Sequence, residues 1–405
     1  MKVSIFGLGY VGLPIAINAA KAGYSVGGFD VDENKIRKLE SGISDSPEVS
    51  PDQILTLKAS GKLFFSSNIS DHKDSSVYVI AVPTPLEENR NPDLSYLKNA
   101  CKLLAQVVKS GDLVINESTS YIGTLRNLIK PIIEEISGIV DIRYAVAPER
   151  IDPGNKDWNL KNTPRNISGL TDQATRDTLM FYSGFCDSIT LLIKPEIAEA
   201  AKLLENTFRH VNIALVNEFS EIASKFDFSA NDAIVAAATK PFGFMPFYPS
   251  IGVGGHCIPV DPSYLAYSAK QVGIESKFIN LANQTNSSRP KIVVDKIRTQ
   301  LGGVLVDKRI QIVGITYKSN VADLRESPAL ELMVELKSLG AKVLWFDPHV
   351  ETYNGESSQP LDSNIDLGII VIPHDSVDFT VWKESKTMVI DLSANSKNFG
   401  WPKFL

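Results

Sequence analysis

The first twelve residues constrain the fold of this chain more than any other segment. A short apolar run, Val3 to Phe6, is followed at once by Gly7, Gly9 and Gly12, and a helical pattern begins at the last glycine. Glycines at this spacing allow a tight turn between a strand and a helix, whose N-terminus presents unpaired backbone amides. The segment therefore predicts the first strand and helix of a doubly wound parallel sheet.

Two separate stretches of the chain alternate short β-rich runs with helical patterns, as parallel sheets covered on both faces do. In the first stretch, further strands are predicted at Ser25 to Phe29, Val77 to Ala81, Leu113 to Asn116 and Arg143 to Ala147. In the second, which follows Pro290, strands are predicted at Arg309 to Ile315, Lys342 to Phe346, Leu367 to Ile372 and Met388 to Leu392, with a helix at Ser327 to Leu339. Glu351 to Asn364 is polar and rich in turn residues, which predicts a surface loop.

Between these stretches, the pattern is helical from Pro195 to about Phe226, with no Gly or Pro after the first turn. Such a helix is about 45 Å long, which is more than the width of most domains, and such helices connect domains or form dimer contacts. We predict an α/β protein with two Rossmann-like doubly wound domains joined by a long central helix. The expected segments are 1-193, a central dimerisation region at 194-290, and 291-405.

Composition excludes several classes of protein. The formal net charge of -6 gives no basic surface for a nucleic-acid backbone, and no apolar run reaches the length of a membrane span. The three cysteines lie far apart without metal-ligand spacing, which argues against a zinc site or a disulfide framework. Because Met1 and Lys2 lead directly into a strand, no signal peptide is expected. We expect a cytoplasmic protein without a metal.

The glycine turn predicts a dinucleotide site. A pyrophosphate can bind the amides at the helix N-terminus, and Asp30, at the end of the second strand, can accept hydrogen bonds from the adenosine ribose. A carboxylate would repel a 2′-phosphate, so NAD is expected rather than NADP. Lys35 is either a second ribose or phosphate contact or a solvated helix lysine. The expected cofactor-binding residues of this region are Gly7, Gly9, Tyr10, Val11, Gly12, Asp30, Lys35, Pro83, Thr84 and Thr119.

Cys257 is the candidate nucleophile because it follows a glycine-rich stretch, Gly252 to Gly255, which would let a bulky ligand approach the sulfur. Asp261, four residues later, either orients a lysine or water or caps a turn before Pro262. Cys101 and Cys186 are expected to be small buried side chains. His256 is read as a loop residue, because adjacent side chains seldom face one another.

Lys202 and Asn206 are four residues apart in the predicted long helix and therefore share a face. An ammonium and a carboxamide side by side would stabilise an oxyanion on a carbon attached to sulfur. Glu149 follows a predicted strand and could carry the proton of an attacking water. Each of these residues alone would be read as an ordinary surface or loop residue.

At this point the motifs match a family. The chain resembles the nucleotide-sugar 6-dehydrogenases, which oxidise UDP-glucose, UDP-N-acetylglucosamine or UDP-N-acetylmannosamine, over nearly its whole length. The matching segments are Gly7 to Gly12 with Asp30, Val82 to Pro85, Glu117 to Thr119, Pro148 to Arg150, Lys202 to Thr207, Gly254 to Pro262 and Gly314 to Pro328.

The resemblance implies an NAD-dependent, four-electron oxidation of a sugar C6 alcohol, with a product used in polysaccharide biosynthesis. By analogy Cys257 forms a thiohemiacetal and then a thioester, Lys202 and Asn206 hold the oxyanion, and Asp261, Glu149 and Thr119 arrange the water. Lys318 and Arg325 would close the site over nucleotide and cofactor, and a homodimer is expected. The substrate-binding residues implied are Glu149, Arg150, Lys202, Asn206, Phe247, Tyr248, Gly254 and Lys318.

Two departures from the UDP-glucose enzymes bear on the substrate. Asp152, Pro153 and Gly154 stand where those enzymes usually carry a second glutamate, and Lys240 to Pro249 is apolar and aromatic where they tend to carry an arginine. An apolar lining suits an acetamido methyl, so UDP-N-acetylglucosamine or another UDP-N-acetylhexosamine is expected, with UDP-glucose as the alternative. The sequence leaves open the configuration of the sugar.

Two other classes of protein share part of this pattern. A regulator that binds NAD or a nucleotide sugar without turnover would not need Lys202, Asn206, Cys257 and Asp261 together. A two-electron hydroxyacid dehydrogenase would share the glycine turn but would not need Cys257. The ratio of NADH formed to sugar consumed distinguishes these alternatives.

Overall fold

The computed structural model describes residues 1–44, 46, 48–152, 155, 157–255, 257–394, 399–401 and 403–405. The chain forms two compact units. Unit 1 comprises Met1–Glu205 with Ser263–Gly273, and unit 2 comprises Asn206–Pro262 with Ile274–Leu405. The segment 194-290, expected as a region of its own, is thus divided between the two units. His256, Pro153 and Gly154 lie outside the described residues.

The strands are β1 Lys2–Phe6, β2 Ser25–Phe29, β3 Leu63–Ser66, β4 Val77–Ile80, β5 Leu113–Asn116, β6 Arg143–Val146, β7 Arg165–Gly169, β8 Ile189–Leu191, β9 Arg309–Val313, β10 Lys342–Phe346, β11 Thr352–Tyr353, β12 Glu356–Ser357, β13 Leu367–Ile370 and β14 Val389–Asp391. The α-helices are α1 Gly12–Lys21, α2 Glu33–Glu40, α3 Pro51–Ala59, α4 Ser95–Leu104, α5 Lys130–Ser137, α6 Asp172–Tyr182, α7 Pro195–Lys225, α8 Ala230–Ala238, α9 Asp261–Gln271, α10 Lys277–Gln300, α11 Pro328–Ser338 and α12 Thr380–Glu384.

Unit 1 contains one eight-stranded sheet in the order β3-β2-β1-β4-β5-β6-β7-β8. The five strands predicted here are confirmed to within one residue at each end. The sequence reading missed β3, β7 and β8. Neighbouring strands run parallel except β6 and β7, where Ala145 pairs with Gly169 and Val146 with Ser168 in antiparallel register. The reversal places the start of β7 at the sheet edge where the parallel strands end.

Both faces of this sheet are buried, as the continuous apolar strands predict. Val3 and Ile5 of β1 pack into the hydrophobic cluster on one face, whereas Phe6 joins the cluster on the other. Each fully buried side chain of this size stabilises the fold by about 1.5–3 kcal/mol. The buried faces anchor the strands, and their carboxyl ends and the loops beyond them carry the polar residues described below.

Side-chain caps define the starts of two helices in unit 1, α2 and α3. Asp32 accepts hydrogen bonds from the backbone N–H groups of Asn34 and Lys35 at the start of α2. Ser50 and Gln53 form a reciprocal capping box at the start of α3. Such caps satisfy amides that have no partner within the helix, and losing one costs about 1 kcal/mol.

The predicted long helix is confirmed as α7, which runs for 31 residues from Pro195 to Lys225. Proline in the first turn removes only an N–H that has no helical partner. The division between the two units falls within this helix, between Glu205 and Asn206.

Unit 2 contains a four-stranded parallel sheet in the order β10-β9-β13-β14, in agreement with the predicted second alternation. The expected start of this half at residue 291 lies inside α10, which continues through Pro290. Arg289 and Val293 on either side of the proline are fully buried, so packing outweighs the helix-breaking preference of proline. The segment Glu351 to Asn364 is also not all loop, since β11 and β12 form a short antiparallel hairpin within it.

None of the helices in the described part of the chain combines the length and apolar character that a membrane span requires.

Candidate active site

The N-terminal glycine turn has a geometry that only glycine can adopt at two positions. Gly7 has a φ of 93°, and a Cβ there would lie 2.5 Å from the carbonyl oxygen of Ala81. A Cβ on Gly12 would lie 1.8 Å from the oxygen of Gly7. Gly9, by contrast, would meet nothing within 4 Å. The turn is therefore closed on the protein side and open at Gly9, where a phosphate could approach the start of α1.

Asp30 lies beside this turn and is nearly buried. One carboxylate oxygen accepts a hydrogen bond from Leu8 N at 3.0 Å and from the Lys35 ammonium at 2.8 Å, and the other accepts from Asp32 N at 3.1 Å. Lys35 is one-third exposed, so it covers the carboxylate from the solvent side. Lys35 is therefore the ion-pair partner of Asp30 rather than a solvated helix lysine.

Unit 2 repeats this arrangement with a different outcome. Ile315 N, directly after β9, donates to Asp347 at 2.9 Å, just as Leu8 N donates to Asp30 in unit 1. Asp347, however, also contacts His374 Nε2 at 3.1 Å, and both side chains are fully buried. Although burial opposes ionisation, the hydrogen bond from His374 and the nearby amides hold the pKa of Asp347 below its usual range. Asp30 could therefore receive a ribose in unit 1, whereas Asp347, its counterpart in unit 2, is enclosed by protein groups.

The other predicted cofactor loops follow β4 and β5 in unit 1. Thr84 is buried, Pro83 is exposed and Thr119 is half-buried. Ser118 donates to the carbonyl of Val82 at 2.8 Å, which joins the two loops at one edge of the sheet. These positions agree with the expectation that both loops lie at the carboxyl ends of the strands.

Glu149 belongs to a buried charge cluster in unit 1. Its Oε1 accepts hydrogen bonds from Arg150 N at 2.5 Å and Ile151 N at 2.6 Å, and its Oε2 accepts from Arg165 at 2.6 Å. Burial opposes the charge, but Arg165, the Ile151 amide and the Lys202 ammonium outweigh it, so the pKa of Glu149 is lowered. Glu149 and Lys202 were both predicted site residues, whereas Arg165 was missed because β7 was not recognised.

Arg150, expected to contact substrate, has protein partners in unit 1. Its guanidinium contacts Glu205 of α7 at 2.8 Å and donates to the carbonyl of Pro164 at 2.8 Å. These bonds connect the segment after β6 to α7, three residues from Lys202. Arg150 thus helps to hold the backbone that carries Glu149.

The thiol loop lies in unit 2. Cys257 is exposed, whereas Cys101 and Cys186 are buried, as predicted. Burial raises the pKa of the Cys101 thiol to about 12 and that of Cys186 to about 11, so neither is a nucleophile near neutral pH. Only the exposed thiol can meet a substrate.

The glycines before Cys257 have a different role from the expected one. A Cβ on Gly254 would lie 2.8 Å from the Cβ of Tyr317, and one on Gly255 would lie 2.8 Å from the Tyr317 ring. Gly255 N also donates to the carbonyl of Arg325 at 3.1 Å. The glycines therefore let the loop pack against the segment after β9, and the expectation that they clear a path to the sulfur is wrong for these two positions.

Asn206 and Asp261 meet beside this loop. Asn206 Nδ2 donates to Asp261 Oδ2 at 2.5 Å, and the backbone N–H of Asp261 donates to the carbonyl of Cys257 at 2.9 Å. Asp261 is buried and begins α9. The structure therefore brings together three residues that are separated by up to 55 positions, and the carboxylate orients the amide of Asn206.

A buried polar network, also missed from the sequence, supports the start of the thiol loop. Asn217 of α7 accepts a hydrogen bond from Ser250 N at 2.8 Å and donates to Asn286 of α10 at 3.2 Å. Arg289 donates to the carbonyl of Ser250 at 3.1 Å and to Ser220 at 2.6 Å. Both backbone groups of Ser250 are thereby held by the two long helices.

The remaining predicted substrate residues, and Arg325, which is a predicted cofactor residue, also lie in unit 2. Phe247 is half-buried and its ring lies 5.9 Å from that of Phe208, and Tyr248 is half-buried beside it. Lys318 is half-buried in the segment after β9. Arg325 is exposed and forms an ion pair with Asp323 at 2.7 Å.

Family models match almost all of the chain. The NAD binding domain of the UDP-glucose/GDP-mannose dehydrogenase family matches residues 1–183, its central domain matches 196–288, and its UDP binding domain matches 311–395. These three ranges follow the order of the glycine turn, the thiol loop and the second parallel sheet.

Individual relatives agree with this match. The chain is 35% identical over 361 residues to a UDP-N-acetyl-D-glucosamine 6-dehydrogenase of Pseudomonas aeruginosa, covering 86% of this chain and 83% of the relative. It is 34% identical over 390 residues to a UDP-N-acetyl-D-mannosamine dehydrogenase of Pyrococcus horikoshii, covering 95% and 92%. A solved structure of UDP-D-ManNAc dehydrogenase from Pyrococcus horikoshii superposes with a TM-score of 0.89 at 32% identity, covering 100% of this chain and 97% of that one.

Proposed function

We propose that this chain, which belongs to the UDP-glucose/GDP-mannose dehydrogenase family, oxidises the C6 alcohol of a UDP-N-acetylhexosamine to the carboxylate in two NAD-dependent steps. The chain is an NAD-dependent oxidoreductase; the sugar and the covalent course are the proposal. The observation that carries the proposal is the exposed thiol of Cys257 beside the hydrogen-bonded pair of Asn206 and Asp261.

The glycine turn of unit 1 fits NAD. The open position at Gly9 leaves room for the pyrophosphate at the start of α1, and Asp30 lies where a ribose hydroxyl would donate to it. Lys35 would then share this carboxylate with the ribose. When bound, NAD supplies the hydride acceptor for each of the two oxidations.

The covalent course requires a nucleophilic sulfur. The thiolate of Cys257 adds to the aldehyde carbon formed by the first hydride loss, and the carbonyl oxygen gains a proton to give a thiohemiacetal. Loss of the second hydride from the same carbon, together with the hydroxyl proton, gives a thioester, which water cleaves to the carboxylate and the free thiol. The balance is one alcohol, one water and two NAD consumed for one carboxylate, two NADH and three protons formed.

The oxyanion on the sulfur-bearing carbon is assigned to Lys202 and Asn206. One N–H of the Asn206 amide is bound to Asp261, which holds the side chain in one orientation and leaves the second N–H directed elsewhere. Lys202, four residues earlier on α7, supplies the positive charge and is largely buried. A buried ammonium acts on a developing anion more strongly than an exposed one, because water screens it less.

Glu149 and Thr119 are assigned to the water that cleaves the thioester. Glu149 is ionised and its carboxylate is held by three hydrogen bonds, so it is suited to orient a water. Its lowered pKa makes it a weak proton acceptor. Thr119 lies on the neighbouring loop after β5 and is half-buried.

The nucleotide end of the substrate is assigned to unit 2. The family's UDP binding domain covers 311–395, which supports a UDP-sugar substrate. Lys318, in the segment after β9, is the cation proposed to neutralise the diphosphate charge of the substrate, and Arg325 of the same segment is proposed to close the site over the cofactor. Gly254 is proposed to contact the substrate through its backbone. Its close packing against Tyr317 holds the thiol loop to this segment.

An N-acetylated sugar is proposed because of the apolar side chains before the thiol loop and the substrates named for the relatives. Phe247 packs against Phe208, and Tyr248 is half-buried next to it. The Pseudomonas aeruginosa and Pyrococcus horikoshii relatives are named for UDP-N-acetyl-D-glucosamine and UDP-N-acetyl-D-mannosamine. Burial of an acetamido methyl against such rings is favourable in free energy, whereas burial of a free hydroxyl is not.

We expect two NADH for each sugar consumed, with kcat/KM for at least one UDP-N-acetylhexosamine about 10- to 200-fold above that for UDP-glucose. Purified protein is incubated with NAD and UDP-glucose or the gluco, galacto or manno UDP-N-acetylhexosamine, and NADH and sugar are both counted. UDP-xylose, which lacks C6, is the control and should give no NADH. One NADH per sugar with released aldehyde would contradict the covalent course, and a preference for UDP-glucose would overturn the proposed substrate.

A homodimer through α7 is also part of the proposal. In unit 2, Asn217 and Ser220 of α7 are buried against α10, whereas Phe208, Leu215 and Ile222 leave an exposed apolar stripe at seven-residue spacing. Such stripes on helices commonly pair with a second copy.

The reaction is assigned to the cytoplasm, where a free catalytic thiol stays reduced, and cell fractionation would check this.

The mass in solution is expected to be twice the 44.4 kDa of the chain. Leu215→Glu with Ile222→Glu should shift it to the monomer, because two carboxylates would be desolvated in the interface. Val304→Glu, at another exposed apolar position, is the control and should leave the dimer intact. Light scattering after size exclusion measures all three, and a monomeric parent protein would contradict the proposal.

A further inference from the structure

Two glutamates share one arginine at the edge of the unit 1 sheet. Arg165 Nη1 donates to both oxygens of Glu117 at 2.5 and 2.6 Å, and Arg165 Nη2 donates to Glu149 at 2.6 Å. The Arg165 side chain is 4% exposed and that of Glu117 is fully buried. A guanidinium can serve two carboxylates in this way because its donors lie in a planar fork, which an ammonium lacks.

The topology of the sheet places the arginine there. Glu117 directly follows β5 and Glu149 comes three residues after β6, both at the edge where these parallel strands end. Because β7 pairs with β6 in the antiparallel direction, its first residue, Arg165, lies at this same edge. A parallel β7 would place its first residue at the opposite edge, away from both glutamates.

The surroundings of the cluster divide the two glutamates into different roles. Tyr182 of α6 donates to Glu117, and the guanidinium of Arg165 lies 4.7 Å over the Tyr182 ring, so protein groups enclose this side. Glu149 is bound by two backbone amides besides Arg165, and its side chain is 11% exposed. Glu149 is therefore the carboxylate of the pair that keeps an accessible edge.

The pKa values of the two glutamates also differ, which supports separate roles for them. Burial raises the pKa of Glu117 to about 7, despite Arg165, whereas that of Glu149 is lowered. In the described residues, the charged or titratable groups coupled to Glu149 include Arg165, Lys202, Glu117 and Cys186. Of these, only Arg165 contacts it with a side-chain hydrogen bond in the described residues.

We propose that Arg165 is a positioning residue for thioester hydrolysis, which fixes the Glu149 carboxylate in one orientation and keeps it charged, while Glu117 and Tyr182 hold the other side of the guanidinium. The inference rests on the proposed function, because it assigns the water-orienting role to Glu149. It predicts that damage to Arg165 affects the last chemical step and spares the two oxidations.

The variant Arg165→Lys tests the positioning role, because it keeps the positive charge but removes the planar guanidinium that binds both glutamates. A single ammonium cannot bind both carboxylates in the same geometry, so Glu149 loses its orientation and burial raises its pKa. We expect a rapid burst of two NADH per active site, then turnover about 100-fold slower than in the parent protein. Intact-mass spectrometry of acid-quenched protein should show an acyl group on Cys257. The acid limb of kcat should move up by about one to two pH units.

Two matched variants separate positioning from general loss of structure. Glu117→Gln removes the competing carboxylate, so Arg165 acts on Glu149 alone and the acid limb should stay or move to lower pH. Arg143→Lys replaces another ion-paired arginine of unit 1, which contacts Asp177 at the far end of β6, and should leave kcat, its pH profile and the acyl level unchanged.

The outcomes distinguish this inference from the proposed function. If the parent protein makes two NADH per sugar but Arg165→Lys shows neither the acyl group nor a shifted acid limb, the positioning role is wrong. A loss of the burst together with the slow phase would also overturn it, because the oxidations would then depend on Arg165. If the parent protein makes one NADH per sugar, the proposed function fails and this inference fails with it.

Discussion

Cys257→Ser is expected to lower kcat for oxidation of the sugar to the carboxylate by at least about three orders of magnitude. A serine hydroxyl stays protonated near neutral pH and is a poor nucleophile without a dedicated base. Asp261, the nearby carboxylate, is already bound to Asn206 and orients its amide. NAD binding should survive with a Kd within about twofold of the parent value, because the glycine turn and Asp30 belong to unit 1.

The control for this variant is Cys101→Ala, which alters a buried thiol of α4 and should cost stability without changing kcat. Steady-state NADH production gives kcat, and isothermal titration gives the Kd of NAD. A Cys257→Ser protein that retains more than a tenth of the parent kcat would show that Cys257 is not the nucleophile and would end the covalent proposal.

Lys202→Met is expected to lower kcat by about 100- to 1000-fold. Methionine keeps the length of the buried side chain and removes the charge that stabilises the oxyanion, and loss of one such donor typically costs this much. The same change also removes an attraction that keeps Glu149 charged, so the acid limb of kcat should move to higher pH. KM for NAD should change little.

Lys225→Met, at an exposed position on the same helix, is the matched control and should leave kcat within about twofold. Both variants are compared by steady-state rates at saturating UDP-sugar and NAD across about pH 4 to 9, so that the acid limb set by Glu149 is included. A Lys202→Met protein with nearly normal kcat would remove Lys202 from the oxyanion role and leave Asn206 as its remaining candidate.

Much of the architecture could be predicted because it depends on local patterns. Gly7 is required by its positive backbone angle and Gly12 by the approach of the Gly7 oxygen within the same turn, so their spacing identifies the strand, turn and helix together. The role of Asp30 could be predicted because it stands at the end of the next strand. The 31-residue α7 follows from its length without interruption. In each case the residues that define the element are neighbours in the chain.

Other elements could not be predicted because distant packing decides them. The sequence did not predict that α10 continues through Pro290, where Arg289 and Val293 are buried on either side. Gly254 and Gly255 suggested access to the sulfur, but they instead fit Tyr317, more than 60 residues further along the chain. Glycine marks a close approach without stating which group approaches.

The candidate site shows the same division. By itself the sequence determined which residue types stand at strand ends and on one helix face, and so named Cys257, Lys202, Asn206, Asp261 and Glu149. Only the tertiary structure decided that Asn206 bonds Asp261 and that an antiparallel β7 carries Arg165 to Glu117 and Glu149. Periodicity specifies which way a side chain points within its own strand or helix. The pairing of strands, a matter of long-range hydrogen bonds, decides which distant side chains it meets.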